Sequence, residues 1–387
     1  MKVVIRLLRN AYNVFKSMDK LLLVVSVILF VCGLIMIFSA SNIAAFMRYA
    51  GSPYRFLEKQ LWVLGASLLL FIVIVLFSTR FYNIVSWPLL VGIVALLIAV
   101  LFYGKIINAR QSWFPIGDFH FQPSEFVKVI MVAWMASFYE LNRKSLNSKF
   151  TIWFPLIICG FVFILIAKEP DLGTALIYAT IVLFVFILIP IKLTLKIKTL
   201  FILGVAVGFF LLYSMATGGD LLQNRQSSRL DYDNPCHEEN FYNKGNQLCN
   251  AYIAMNNGGL WGRGLGNSTQ KYLYLPEAHT DFIFAIVVEE LGLIRACVLL
   301  LLYIILLLRI VIIGNRSVSA RGSILCYGIA MYIFLHIIVN LLGIMGVTPM
   351  SGVPLPFMSY AGSFTIALVA SLAIVQRVCV ETKLKEM

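Results

Sequence analysis

The chain of 387 residues is 60% hydrophobic and only 13% charged, which excludes an ordinary soluble domain. Its net charge of +13 is spread along the chain without interleaved aromatic stacking platforms, so nucleic acid is not an expected partner. The seven cysteines are too few and too dispersed for a disulfide scaffold.

Apolar runs of roughly 18 to 25 residues, the length that crosses a hydrocarbon core, recur almost throughout the chain. Ten are expected, over 20–41, 61–78, 82–103, 124–138, 151–167, 172–190, 196–213, 282–308, 323–345 and 362–379. The runs are continuous rather than alternating, so the expected fold is all-α: a polytopic membrane protein of about ten transmembrane helices with minor strand content. The first run follows Lys2, Arg6, Arg9, Lys16 and Lys20, but it is too long for a signal peptide and lacks a cleavage site, so it is expected to stay as an anchor. With the N-terminus inside, segments 1–20, 79–82, 139–150, 191–198, 309–322 and 377–387 carry 18 Lys and Arg. The opposite side, apart from 214–280, carries six: Arg48, Arg55, Lys59, Lys105, Arg110 and Lys168. That asymmetry puts both termini in the cytoplasm.

A single membrane domain, 1–387, is expected, with a large polar, Gly-rich outer loop at 214–280 between helices 7 and 8. Loops of that length are usually functional or disordered, and the aromatic residues within this one argue for order. A short amphipathic helix is expected near 246–256. Cys236 and Cys249 both fall in the loop, where an oxidising compartment permits a bridge; two free thiols are the alternative.

Four constellations on the outer side could carry chemistry. Tyr274-Leu-Pro-Glu-Ala-His-Thr-Asp281 places Glu277, His279 and Asp281 where the loop enters the eighth run, and Thr280-Asp281 reads locally as a helix N-cap. Glu289 and Glu290 then lie two turns down an apolar helix, where a carboxylate costs roughly 2.5–3.5 kcal/mol and so faces a cavity or a partner. Glu125 and Lys128 share a helix face at spacing three, with Ser124 placed to cap. Lys168-Glu-Pro-Asp171 is a polar turn, and Lys168 with Asp171 reads equally as a solvated surface pair. Asn340 and the proline-rich stretch from Pro349 to Ser363 cannot be plain helix, and such backbone is tolerated at membrane depth only inside protein or along a wet cavity. Gly258-Gly-Leu-Trp-Gly262-Arg-Gly264 lacks the ending of a phosphate loop and is expected to be a close-packing loop. His336 reads as a core histidine.

Together these segments resemble the SEDS family, which includes FtsW, RodA and SpoVE. The resemblance runs from Asp19 and Ser39-Ala40-Ser41 through Phe121-Gln-Pro-Ser-Glu125-Phe-Val-Lys128 and Glu169-Pro-Asp171-Leu-Gly173-Thr174. It continues through the glycines of 258–266 and Leu275-Pro-Glu-Ala-His-Thr-Asp281, and ends at Pro354-Leu-Pro-Phe-Met-Ser359-Tyr360. It implies a glycosyltransferase that polymerises lipid II on the outer face of the cytoplasmic membrane. In that reading Asp281 is the general base, and Arg110, Glu125, Lys128, Lys168, Asp171, Glu277, His279 and Ser359 bind substrate. Arg110 and Lys128 are the expected cations for the departing pyrophosphate, and a divalent cation, Mg or Mn, could share that charge, although no dedicated metal cage is visible. A class B penicillin-binding protein transpeptidase and other membrane proteins of the division or elongation machinery are the implied partners. The Gly266-Asn-Ser-Thr-Gln-Lys271 run leans toward the FtsW branch. Three positions depart from the family pattern: Ala361, Arg295 and Gly245-Asn246-Gln247.

A lipid-linked precursor flippase and a noncatalytic scaffold are the competing readings. Transporters tend to show internal repeats and midplane binding groups, whereas here no repeat is visible and the charges gather at the outer interface.

Overall fold

The computed structural model describes residues 12–49, 51–107, 110–216, 235–237, 245–272 and 274–386. The architecture is a helical bundle. Its helices are α1 (Lys20–Arg48), α2 (Arg55–Leu76), α3 (Tyr82–Tyr103), α4 (Pro123–Leu141), α5 (Lys149–Ala167), α6 (Leu172–Leu188) and α7 (Leu193–Ala216). After the long connection come α8 (Asn246–Gly258), α9 (Ile283–Leu291), α10 (Leu293–Arg316), α11 (Ala320–Ile344) and α12 (Gly362–Glu386). Seven of these, α1, α2, α3, α5, α10, α11 and α12, are long and apolar enough to cross a membrane, and α6 is apolar but shorter. The protein is a multi-pass membrane protein. α12 is almost wholly enclosed and α11 largely so, while α2 and α3 face outward for most of their surface.

Two elements differ from expectation. Between α3 and α4 the chain forms a three-stranded antiparallel sheet, β1 (Lys105–Ile107), β2 (Arg110–Ile116) and β3 (Phe119–Phe121). Gly117, at φ 60°, supplies the left-handed residue that a tight β2–β3 turn requires. The eighth apolar run, expected to be continuous over 282–308, is broken into α9 and α10 at Gly292.

The break has an identifiable cause. Gly292 takes φ 83°, and a Cβ there would lie 2.4 Å from the Gly262 nitrogen, so the Gly-rich segment after α8 is seated directly on the broken backbone. Arg263 and Gly264 amides donate to the Glu289 and Glu290 carbonyls, and the Leu293 and Ile294 amides donate to the Gly259 and Leu260 carbonyls. Four peptide groups freed by the break thus find backbone partners in the glycine-rich segment. Arg295 adds to the arrangement through Nη1, which donates to the Trp261 and Leu291 carbonyls at 2.8 and 3.0 Å.

Glu289 and Glu290 face protein partners. Glu289 accepts from the Ser268 hydroxyl, from the Thr269 amide at 3.0 Å and from the Thr269 hydroxyl at 2.8 Å. Glu290 accepts from Ser39 on α1 at 2.6 Å and pairs with Lys271 at 3.1 Å. All four of Glu289, Glu290, Ser268 and Lys271 are buried, and the network fastens segment 266–271 to α9 and α1. α8 forms over 246–258, near the expected 246–256. Cys236 and Cys249 are bridged, with Cα atoms 5.1 Å apart. At the opposite end of the bundle Asp19 caps α1 and receives Arg309 in two-pronged fashion at 2.6–3.0 Å. Burial pushes the Asp19 carboxyl up, but Arg309 and the Leu22 amide outweigh it and hold the group below its usual range.

Removing one partner of a buried ion pair is costly because it strands the other charge. Glu290→Ala is therefore expected to destabilise the protein by about 3–5 kcal/mol, and Glu290→Ala with Lys271→Met by much less. Denaturant unfolding of the three proteins in detergent micelles reads the difference.

Candidate functional site

A cavity of about 1170 Å³ opens at the end of the bundle that carries Asp281. Its walls come from α2, the β2–β3 hairpin, the first turns of α4 and α6, the turn 276–281 and the segment 350–366. Pro123 at the start of α4 has no N–H to waste in a first turn, and directly beyond it Glu125 reaches the cavity wall.

Asp281 is placed by its backbone. The Asn340 side-chain amide donates to the Asp281 carbonyl at 2.7 Å and to the Val353 carbonyl at 2.8 Å, tying the turn to the proline-rich segment. The Thr280 hydroxyl lies 3.1 Å from Asp281 Oδ1, 2.9 Å from the Glu277 carbonyl and 3.2 Å from Glu277 Oε2, so its single proton is shared among three acceptors. The capping role expected from Thr280-Asp281 is not what forms. The N-cap of α9 is Phe282, without a side-chain cap bond, which leaves the Asp281 carboxylate on the cavity wall beside Glu277.

Glu125 and Asp171 also line the cavity. Asp171 caps α6 through the Thr174 amide and hydroxyl at 3.3 and 3.0 Å. Lys128 stands behind Glu125, with no exposed side-chain surface. Its ammonium lies 2.9 and 2.8 Å from the two Glu125 oxygens and 3.0 Å from His336 Nε2. An ammonium has only protons to give, so Nε2 must accept and the neutral ring carries its proton on Nδ1. Lys128 is thus committed to its own chain and acts on the cavity through Glu125. His336 is a core histidine, as expected, but one with a charged partner.

Of the remaining expected residues, His279, Ser359 and Lys168 lie outside the lining. His279 is buried between the Phe56 and Tyr360 rings, 4.4 and 5.9 Å away, and burial holds its imidazole below the usual value. Its carbonyl accepts from the Tyr360 amide at 2.9 Å. Ser359 accepts from the Leu355 amide at 2.8 Å and so shapes the proline-rich turn. Lys168 ends α5 on an exposed surface. Arg110 begins β2, and its side chain lies outside the described part of the chain. Ala361 lines the cavity without a left-handed backbone, so the alanine adds no strain there. Among the described residues no three His, Cys, Asp or Glu side chains gather as metal ligands; the residues present do not form a cage for a divalent cation.

Glu169 sits beside this wall, fully buried. Burial first, and then the nearby Asp171 charge, pushes its carboxyl up to about 9, so it is a neutral acid at pH 7. Two cavity-lining cations were missed by the motif reading: Arg55 and Lys59, at the start of α2. Both reach Asp118 at the hairpin tip, at 2.8 and 3.3 Å, and Lys59 and Arg55 hold that carboxyl below its usual range. The signal was present in the charge count, since both stand on the side that holds few cations.

These features define a polytopic membrane protein with a cavity lined by charged residues at one end of its bundle. The FTSW_RODA_SPOVE model, described as a cell cycle protein, matches residues 19–384, and the chain belongs to that family. It is 34% identical, over 97% of its length and 93% of the relative, to the probable peptidoglycan glycosyltransferase FtsW of Bacillus subtilis (strain 168). Stage V sporulation protein E of the same organism is 31% identical, over 92% of this chain and 95% of the relative. Among solved structures, one of a peptidoglycan synthase complex that coordinates polymerization and crosslinking matches with TM-score 0.72 and 26% identity, covering 94% of this chain and 97% of the other. The rod shape determining protein RodA of Thermus thermophilus matches with TM-score 0.66 and 25% identity, over 94% and 96%.

A group whose folded-state pKa is raised stabilises most below its unfolded value, and that contribution is lost as pH rises through the folded value. For Glu169 the window runs from about 4.5 to about 9. Melting temperatures of the wild type are expected to fall across it by several degrees, and Glu169→Gln, which keeps the shape and cannot ionise, is expected to remove that part of the slope.

Proposed function

We propose that this protein is a peptidoglycan glycosyltransferase that polymerises lipid II into glycan strands. In this reading the whole chain acts as one unit of the cytoplasmic membrane, with both termini in the cytoplasm and the cavity open to the outer face. The observation that carries the reading is Asp281: a carboxylate on the wall of a cavity of about 1170 Å³, its backbone pinned by Asn340. Membership in the family and the names of its relatives support it.

The chemistry required is a glycosyl transfer. The Asp281 carboxylate takes the proton of the acceptor sugar hydroxyl. As it does so, that oxygen forms a bond to the donor's anomeric carbon while the bond from that carbon to the pyrophosphate oxygen breaks, with inversion. The products are a strand longer by one disaccharide-peptide unit and undecaprenyl pyrophosphate. Glu125, Asp171 and Glu277 hydrogen-bond the sugars and peptide, and Lys128 holds the Glu125 side chain in place. His279 and Ser359 hold the shape of the turns that carry the site, and Arg110, at the head of β2, is the further candidate for substrate contact. A class B penicillin-binding protein is the proposed partner, as the likeness to a synthase complex supports.

Positioned general bases contribute about 10²- to 10⁴-fold. Asp281→Asn is therefore expected to lower polymerisation of labelled lipid II by at least the lower of these factors, with an unchanged melting temperature and with the partner present. Equal polymer from variant and wild type would take Asp281 out of catalysis. Absence of polymer from both, with lipid II crossing liposome membranes, would favour a flippase.

A further inference from the structure

The glycosyl transfer leaves a pyrophosphate with growing negative charge, and most of the charged residues that line the cavity around Asp281 are acidic. Lys128 is enclosed by Glu125 and His336. Arg55 and Lys59 are the Lys and Arg side chains among the described residues that line the cavity, and both belong to the first turns of α2.

Their surroundings fit an anionic head on an apolar tail. Residues 55, 59, 62 and 66 share one face of α2 by helical spacing, and Arg55, Lys59, Trp62 and Ala66 all line the cavity. Read from the helix start inward, that face passes from two cations to an aromatic ring to small apolar surface. Trp62 is 81% exposed on a helix apolar enough to cross a membrane, so the apolar part of the face lies open to lipid. The N-terminus of α2 has no side-chain cap bond, and a helix N-terminus favours a nearby negative charge. The two cations share one carboxylate oxygen, Asp118 Oδ2, at 2.8 and 3.3 Å, and Arg55 also pairs at 3.8 Å with Glu58, an exposed carboxylate of the same first turn that lines the cavity as well. The Asp118 side chain is 67% exposed on the hairpin tip and makes a surface pair of the kind that exchanges readily. Lys59 is steadied from the other side by the Tyr49 ring, 4.9 Å from its ammonium.

We infer that Arg55 and Lys59 form the binding site for the pyrophosphate of a prenyl-linked substrate, with Asp118 holding the two cations in place until the phosphates displace it and with the prenyl chain running along Trp62 and Ala66. This rests on the glycosyltransferase reading for its role in turnover, but binding itself requires no turnover.

The test is calorimetric titration of the purified chain in detergent with farnesyl pyrophosphate, with farnesol and inorganic pyrophosphate as partial probes. Wild type is expected to bind farnesyl pyrophosphate more tightly than either. Arg55→Gln and Lys59→Gln are each expected to weaken it about ten- to hundredfold and to raise KM for lipid II more than they lower kcat. Asp118→Asn, which removes the competing carboxylate, is expected to bind as tightly as wild type or more so. Farnesol bound as well as the pyrophosphate would overturn the site, as would inorganic pyrophosphate bound as well. Asp118→Asn as weak as Arg55→Gln would show that the cations serve only to hold the hairpin, and would also overturn it. A wild type that makes no glycan yet shows the expected binding pattern would sink the glycosyltransferase reading and leave the site standing; an active wild type whose Arg55→Gln and Lys59→Gln variants bind unchanged would sink the site alone.

Discussion

A helix interrupted inside a membrane bundle leaves peptide groups with no water to satisfy them, and the interruption at Gly292 is the constraint around which this end of the molecule is built. The glycine-rich segment after α8 supplies the missing backbone partners. Glu289 and Glu290 then hold the following segment, through Ser268, Thr269 and Lys271. That segment leads into the turn bearing Asp281, so the polar network two turns below the site fixes where that turn meets its helix. Two carboxylates that are costly in a bilayer persist because each has a full set of donors.

The same logic arranges the cavity. Each wall carboxylate is steadied by an inexpensive local device: Asp171 by its own helix amides, Glu125 by a lysine enclosed behind it, Asp281 by a threonine and a clamped backbone. Glu169, buried next to them, avoids adding a further charge by staying protonated. The cations on the lining belong to the first turns of α2, a helix that faces outward for most of its surface, and are held by the hairpin carboxylate Asp118. Carboxylates and cations on one lining are what the proposed reaction, with a hydroxyl acceptor and a pyrophosphate leaving group, needs.

Much of this was legible in the residues themselves. The membrane-crossing helices follow from continuous apolar runs, because a helix satisfies its own backbone whatever surrounds it. α8 and the motifs that gather around the cavity could be read from local pattern and from their order along the chain. The three-stranded sheet could not, because its pairing depends on contacts across a turn that only Gly117 marks. Nor could the break at Gly292, since a single glycine in an apolar run is tolerated by many helices and is decided here by Gly262 seated against it.

By itself, then, the sequence determined the class of protein, the crossing helices and which residue types could do chemistry, since apolar length and local charge are properties of neighbours along the chain. Only the tertiary structure decided which of those residues share a cavity. Asp281 was a cap by its neighbours and is a wall residue by Asn340, some sixty positions away; Lys128 was a partner for Glu125 by its spacing, and only packing added His336 against its ammonium. Arg55 and Lys59, ordinary boundary charges in the sequence, become part of the lining because α2 and the hairpin bring them beside Asp118. The direction of a charge and the partner that neutralises it are set by packing between distant segments, and no local pattern encodes that.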